Sequence, residues 1–430
     1  MVGMRTACLL LLCLSGVSGQ MRYDVMLKGG RVIDPKNGID GVMDVAVSGG
    51  KVAAIGPALD AALAQQVLDV KGMVVTPGLV DIHVHLYHTT GLANAWAGDS
   101  SVRPDDFSFR SGVTTMADAG SSGWRNFESF RQTVLDRAQT HTYAFINIAG
   151  LGMMTNIAEQ HPEDMKPEEV AGLAKKHADI VVGVKTAHFE GPAWIAVERA
   201  VAAGTLAGKP VMVDFGYFKP ERPYWQLVTE KLRPGDISTH AYRPATPWVD
   251  GQGKVYDYLK EARARGVVFD VGHGGGSFSW RNAVPSIAQG FLPDSISTDL
   301  HTGSMNGSMM DMPTTMSKFL AMGMPLREVV LRSTWKPAQI ISKTQHGHLS
   351  VGADADIAVF RMMEGDFQFA DSDRGLYGGR RRLFCEMTLL GGKVMWDWNG
   401  RTGVDYRTMG PTYGVRAGEA VVLPPEKRQK

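Results

Sequence analysis

His83-Val84-His85 holds two imidazoles two residues apart, and on a β-strand that spacing puts both on one face. Two such side chains can share one metal ion through neutral ring nitrogens. With 12 histidines among 430 residues, about 0.3 such pairs arise by chance, so spacing alone carries little weight. A second pair, His346-Gly347-His348, lies in a Gly-flanked turn and is expected on a surface loop. The first pair instead closes an apolar run, Leu79 to His85, that follows the turn Thr76-Pro77-Gly78. Placement separates them.

Further chemistry-bearing residues end similar runs: Asp118, Asn147, Lys185, Asp214, His240, His273 and Asp299, each 26 to 38 residues beyond the last. One strand–helix unit of a parallel barrel takes about 30 residues or more of chain. Lys185 ends Ile180-Val181-Val182-Gly183-Val184, and a bare cation pointing into an apolar interior is costly. It either snorkels or pairs with an anion, or its amine combines with carbon dioxide as a carbamate that bridges two metals. Burial favours the second state by lowering the amine pKa. His240 and Asp299 end Ser238-Thr239 and Ser297-Thr298 and add an imidazole and a carboxylate to the donor set. His273 sits in Gly272-His273-Gly274-Gly275-Gly276, where it either steadies a turn or, as favoured here, contacts substrate.

The elements that must position these groups are eight apolar runs: Leu79 to His85, Thr114 to Asp118, Ala144 to Ile148, Ile180 to Lys185, Val211 to Phe215, Ile237 to Ala241, Val267 to Val271 and Ser295 to Leu300. Strands alternating with helices predict an α/β protein with a (β/α)8 TIM-type barrel, whose active site lies at the carboxyl ends of the strands. Both chain ends differ from this middle. Short strands broken by turns such as Lys28-Gly29-Gly30 and Gly391-Gly392 predict a small β-sandwich domain built from both ends. The expected divisions are 21–75 and 346–409 for the sandwich, 76–345 for the barrel and 410–430 for a loose tail.

Residues 1–20 read as a secretory signal peptide. Arg5 supplies the leading charge, Ala7 to Leu14 the apolar core, and Val17-Ser18-Gly19 the small residues for cleavage near Gly19 or Gln20. The core is too short to span a bilayer, and translation from Met21 is the alternative. Export to the periplasm or medium follows from the leader. Cys8 and Cys13 would leave with it, so the mature chain would keep only Cys385 and form no internal disulfide.

A net charge of +1, from 45 basic and 44 acidic residues, lacks the basic surplus of a nucleic-acid binder. No other stretch resembles a membrane span, the expected partner is a small-molecule substrate, and a homo-oligomer is left open.

Taken together, Pro77-Gly78-Leu79-Val80-Asp81-Ile82-His83-Val84-His85 and Gly347-His348-Leu349 through Gly352-Ala353-Asp354-Ala355-Asp356-Ile357 resemble the amidohydrolase superfamily. The likeness runs from about Asp24 to Met395. Ser111-Gly112-Val113-Thr114-Thr115, Asp118-Ala119-Gly120, Phe269-Asp270-Val271-Gly272-His273-Gly274 and the Asp299 run are similar to its dihydroorotase-related amidohydrolase/deacetylase branch. That resemblance implies two divalent metal ions, usually zinc. His83, His85 and Asp299 would hold the first, carbamylated Lys185 would bridge, and His240 would bind the second. A metal-bridged hydroxide would attack the carbonyl, and Asp299 would act as catalytic base and then acid. One departure stands out: the family pattern wants a histidine at the fifth strand end, and this chain has Asp214. Either Asp214 binds in its place, or His188 reaches in from the following loop, or the second site is weak or empty. Of these, Asp214 is favoured.

The resulting expectation is a metal-dependent hydrolase of a small acyl amide or ester, deacetylase-like. Cyclic amide opening and a catalytically inactive binding protein are the alternatives, and fold alone does not choose. Trp96, Trp124, Trp194, Trp225, Trp248 and Trp280 follow strands and either wall an aromatic pocket or simply pack.

Overall fold

The structure, a computed structural model, describes residues 22–155, 157–420 and 422. The expected leader, 1–20, lies outside them. The strands in chain order are β1 Tyr23–Asp34, β2 Ile39–Ser48, β3 Lys51–Gly56, β4 Ala64–Asp69, β5 Val74–Pro77, β6 Leu79–Val84, β7 Val113–Gly123, β8 His141–Asn147, β9 Val181–Thr186, β10 Val211–Val213, β11 Ile237–Ser238, β12 Val268–Phe269, β13 Ile357–Ala370, β14 Leu376–Leu390 and β15 Lys393–Asp397.

β6 to β12 form one curled, wholly parallel sheet in chain order. Every residue of β6 and β9 is buried, as expected for parallel strands covered on both faces. Helices such as Pro167–Lys176, Ile195–Ala207 and Asp257–Ala264 fall between successive strands. Of the eight runs expected as strands, the last is irregular. Ser295 to Leu300 bridges both edges of the sheet, at Asp270↔Ser295 and Val84↔Leu300, and His85 N–H donates to Leu300 O at 2.9 Å. Its ladder is interrupted because Asp299 takes a left-handed φ of 49°. Beyond β11, His240 at φ 57° likewise stops regular pairing.

The two chain ends meet in a single hydrogen-bonded sheet, ordered β15-β14-β13-β5-β1-β2-β3 with β4 beside β1. The expected sandwich is thus one continuous sheet, joined where β13 runs antiparallel to β5 with Ile357 opposite Pro77. β13 alternates faces, and the alternation couples two cores. Ile357 and Val359 pack with Leu27, Val45 and Leu389 of the end sheet, while Ala358 and Phe360 join the large cluster under the parallel sheet. From Gly410 to Ala420 the chain has no strand or helix. Among the described residues no helix is long and apolar enough to cross a membrane.

Phe360 is completely buried at this junction. Phe360→Ala should therefore cost about 3–5 kcal/mol through lost transfer energy and the cavity left behind, read as a lowered urea midpoint at unchanged slope.

Candidate active site

The carboxyl ends of the parallel strands bring the expected donors together. Lys185 Nζ, fully buried, donates to His83 Nε2 at 3.2 Å. Asp299 Oδ1 lies 3.2 Å from His85 Nε2 and 3.7 Å from His83 Nε2. On the other side, Asp214 Oδ2 lies 3.2 Å from His240 Nε2 and 3.4 Å from His188 Nε2. Both candidates for the departure at the fifth strand face one another here, since the left-handed backbone at His188, φ 50°, turns its ring back onto Asp214. The His83 and His240 rings, 5.0 Å apart between centroids, join the two halves.

The imidazoles share one orientation. His83 Nδ1–H donates to Thr239 Oγ1 at 2.8 Å, and that hydroxyl donates onward to Asp270 Oδ2 at 2.7 Å. His240 Nδ1–H donates to Gly272 O at 2.6 Å, and His188 Nδ1–H to Glu159 Oε2 at 2.9 Å. In these three the outer partner can only accept, or has already used its own proton, so Nδ1 carries a proton and each ring, when neutral, has its lone pair on Nε2. His85 Nδ1 meets Ser121 Oγ at 2.9 Å in the same sense. Inward lone pairs held by outward hydrogen bonds are what metal-binding histidines require.

Asp299 Oδ1 is buried without a hydrogen bond of acceptable geometry. One donor atom from each of His83, His85 and Asp299 lies within 4.8 Å of the others. Nitrogen and carboxylate donors at that spacing fit a divalent cation of the zinc class. The electrostatics divide the rings. Burial, reinforced by Lys185, lowers His83 to about 3 and keeps it neutral. Burial opposes ionisation of Asp214 and Asp299, yet the surrounding imidazoles hold both carboxyls well below their ordinary range. His188 is raised to about 9, burial notwithstanding, by Glu159 and Asp214, and Asp214 raises His240 as well, so a proton on each Nε2 faces Asp214 until a metal ion displaces it.

Backbone shape permits this crowding. His188, His240 and Asp299 are three of the seven non-glycine residues with left-handed φ among those described, a concentration typical of functional sites. Gly120, at φ 85°, has no room for a Cβ because Lys185 Cβ would lie 2.6 Å away. At Gly272 a Cβ would fall 2.8 Å from His240 Nδ1 and 2.9 Å from His83 Nδ1.

The donors open into a cleft of about 220 Å³ that is also lined by Trp96, Arg243, Ser277 and His301. A larger cavity, about 390 Å³, lies among Phe107, Met116, Met305 and Met312 and lacks the imidazole cluster, so the chemistry belongs to the smaller one. Trp96 alone of the six tryptophans lines the cleft, 4.9 Å from the His85 ring and 4.2 Å from that of His301. Trp248, by contrast, is buried and donates to Ser286.

Other expected residues have different partners. His273 is fully buried, accepts from Lys318 Nζ at 2.6 Å and stacks on Phe278. It is not among the cleft residues where substrate contact was expected. Asp118 accepts backbone N–H groups of Leu86 and Ser121, and Asn147 donates to Glu159 at 2.8 Å. Both brace the site from behind. The pair His346 and His348 is buried, at 5% and 8% exposure, which corrects the surface-loop expectation. His348 packs edge-on against Trp335 and its Nε2 donates to Thr344 O. Sequence reading passed over Thr239, Ser121, Glu159 and His301, whose roles depend on contacts between distant strands. Only the position of Thr239 beside His240 offered a signal.

Fold and site together define a metal-dependent hydrolase of the amidohydrolase type. No known sequence-family profile matches the chain. It is 34% identical over 350 residues to a deacetylase of Agrobacterium fabrum, covering 79% of this chain and 83% of that one. Among solved structures it resembles a dihydroorotase (30% identity, TM-score 0.75, 87% of this chain and 99% of that one). It also resembles an adenine deaminase (26% identity, TM-score 0.78, 87% and 100%). The chain belongs to the deacetylase family of the amidohydrolase superfamily.

Thr239→Val keeps the side-chain volume but removes the hydroxyl between His83 and Asp270. Affinity for Zn2+ should fall about 10–100-fold with the circular dichroism spectrum unchanged, measured by competition with a chromophoric chelator.

Proposed function

We propose that the chain hydrolyses an acyl amide or ester of a small acid, as a deacetylase, at a centre of two divalent ions of the zinc class. The observation that carries this reading is the convergence of four Nε2 atoms, two carboxylates and Lys185 at one mouth. His83, His85 and Asp299 would hold one ion, and His240 with Asp214 and His188 the other, with Lys185 as a carbamate between them. Such ions supply Lewis acidity toward the acyl oxygen and lower the pKa of attacking water.

The remaining work falls to the chain's own groups. Asp299 accepts the proton of the attacking water at Oδ2 and returns it to the departing nitrogen or oxygen, so that one water becomes the acid's hydroxyl and the leaving group's hydrogen. Thr239, Ser121, Gly272 and Glu159 hold the imidazoles in place. Trp96 covers the mouth and limits water around the reacting carbonyl. Arg243 lines the cleft over the Phe218 ring, and among the described residues no carboxylate pairs with it. Its guanidinium is therefore suited to anchor a substrate carboxylate, which favours an acylated acid over a neutral amide. The solved dihydroorotase at 30% identity keeps cyclic amide opening as the second reading.

The same proposal takes the curled sheet with Ser295 to Leu300 as a closed (β/α)8 barrel over 76–345, flanked by 21–75 and 346–409. Bridges from that segment to both sheet edges support it. It also takes residues 1–20 as an export leader on their charge, apolar and small-residue order.

Elemental mass spectrometry of the purified protein should find at least two transition-metal ions per chain; none after zinc is supplied would overturn the hydrolytic centre. Asp299→Asn should lower turnover of N-acetylated and O-acetylated acids by about 10³-fold while retaining the fold, and near-normal hydrolysis would refute the proton-transfer role. Lys185→Ala should be inactive and partly rescued by short carboxylic acids. Dihydroorotate and hydantoins in the same assay decide between linear and cyclic substrates.

A further inference from the structure

A second cluster lies at the opposite end of the parallel strands. His141 begins β8, His346 lies in the turn after the helix Trp335–Ile340, and Asp356 immediately precedes β13. One donor atom from each lies within 4.8 Å of the other two. Asp356 Oδ2 is 3.0 Å from His141 Nε2 and 3.8 Å from His346 Nδ1, and the two rings face each other at 4.5 Å between centroids. Six residue steps along β8 take His141 to Asn147 behind the hydrolytic centre, about 20 Å of extended chain. The two clusters are therefore distinct.

His346 carries the argument. It is 95% buried, and its Nδ1 has no hydrogen-bond partner. Its Nε2 lies 2.8 Å from Tyr143 Oη, which also accepts from Gln345 Nε2 at 3.2 Å; in either tautomer Nδ1, 3.8 Å from Asp356 Oδ2, lacks a hydrogen bond, and with the ring proton on Nε2 its lone pair faces Asp356. Asp356 Oδ1 is occupied by the Gly391 backbone N–H, so only Oδ2 is offered to the pair of rings. A proton on His141 satisfies Asp356 and still leaves His346 Nδ1 unpaired, at the cost that burial imposes on any orphaned polar atom. A divalent ion satisfies all three at once. Ligand-to-ligand gaps of 3.0 and 3.8 Å bracket the roughly 3.4 Å edge of a tetrahedral site with bonds near 2.1 Å. Two imidazoles and one carboxylate suit the zinc class rather than calcium or magnesium. His141, whose side chain is 33% exposed, gives an entry path and room for water as the fourth ligand.

We propose that His141, His346 and Asp356 form a metal site separate from the hydrolytic centre, taking one divalent ion of the zinc class. The ion clips the amino end of a barrel strand to the point where the chain re-enters the end sheet. It would act on stability rather than on the reaction, because its ligands come from three segments that meet only in the folded chain.

The test is zinc stoichiometry and zinc-dependent stability of the full chain. Protein stripped with chelator is dialysed against buffered micromolar Zn2+, then assayed for bound zinc and thermal midpoint. His346→Gln and, separately, the half-exposed His141→Gln should each bind one fewer Zn2+ per chain than the parent and lose part of the zinc-induced rise in midpoint. His348→Gln, two residues from His346 but outside the cluster, should match the parent. Equal zinc binding by parent, His346→Gln and His141→Gln overturns the site. Should His346→Gln fail to fold, His141→Gln decides alone. Loss of the hydrolytic ions, tested by His83→Gln, leaves this difference between parent and His141→Gln unchanged.

Discussion

The rest of the molecule is arranged around a concentration of inward-facing lone pairs. Four imidazole Nε2 atoms and the carboxylates of Asp214 and Asp299 meet within a few ångströms in a buried site. Such an assembly is stable only if each ring is held from behind and a positive charge balances the centre. Thr239 with Asp270, the Gly272 carbonyl and Glu159 provide the hold. Each comes from a different strand end or following loop, so the donor set exists only when the parallel sheet curls and brings those ends to a common mouth.

That curl also explains the strained backbone. A strand that must stop pairing and turn its last side chain inward leaves the extended region, and His240 and Asp299 do so with left-handed φ. Glycines at 120 and 272 then allow neighbouring strands to approach without a Cβ in the way. Regular pairing is given up locally, which is why β11 and β12 are two residues each. Burial of continuous apolar strands elsewhere offsets that loss.

The end sheet has a different task. β13 places alternate residues in two cores, and its pairing with β5 puts the entry into and the return from the parallel strands side by side. The cluster of His141, His346 and Asp356 lies at the same junction. The imidazole and carboxylate cluster sits at one end of the strands and the joint between sheets at the other, so changes at the joint need not disturb that cluster.

Much of this was legible in the chain. Apolar runs at nearly regular intervals, each closed by a polar residue, exposed the strand order and picked out His83, His85, Lys185, His240 and Asp299, because side-chain alternation and the barrel period are local properties of sequence. Tertiary structure decided what depends on direction at strand ends and on contacts between remote segments. His273 closes a strand as regularly as His240 does, yet it points to Lys318 and Phe278, because glycines on both sides set a local backbone that no periodicity describes. His188 joins Asp214 through one left-handed residue, and His346 leaves its neighbour His348 for partners about 200 residues upstream and 10 downstream, His141 and Asp356. Sequence determined which residue types stand at the strand ends; only packing between distant strands determined which of their atoms face one another.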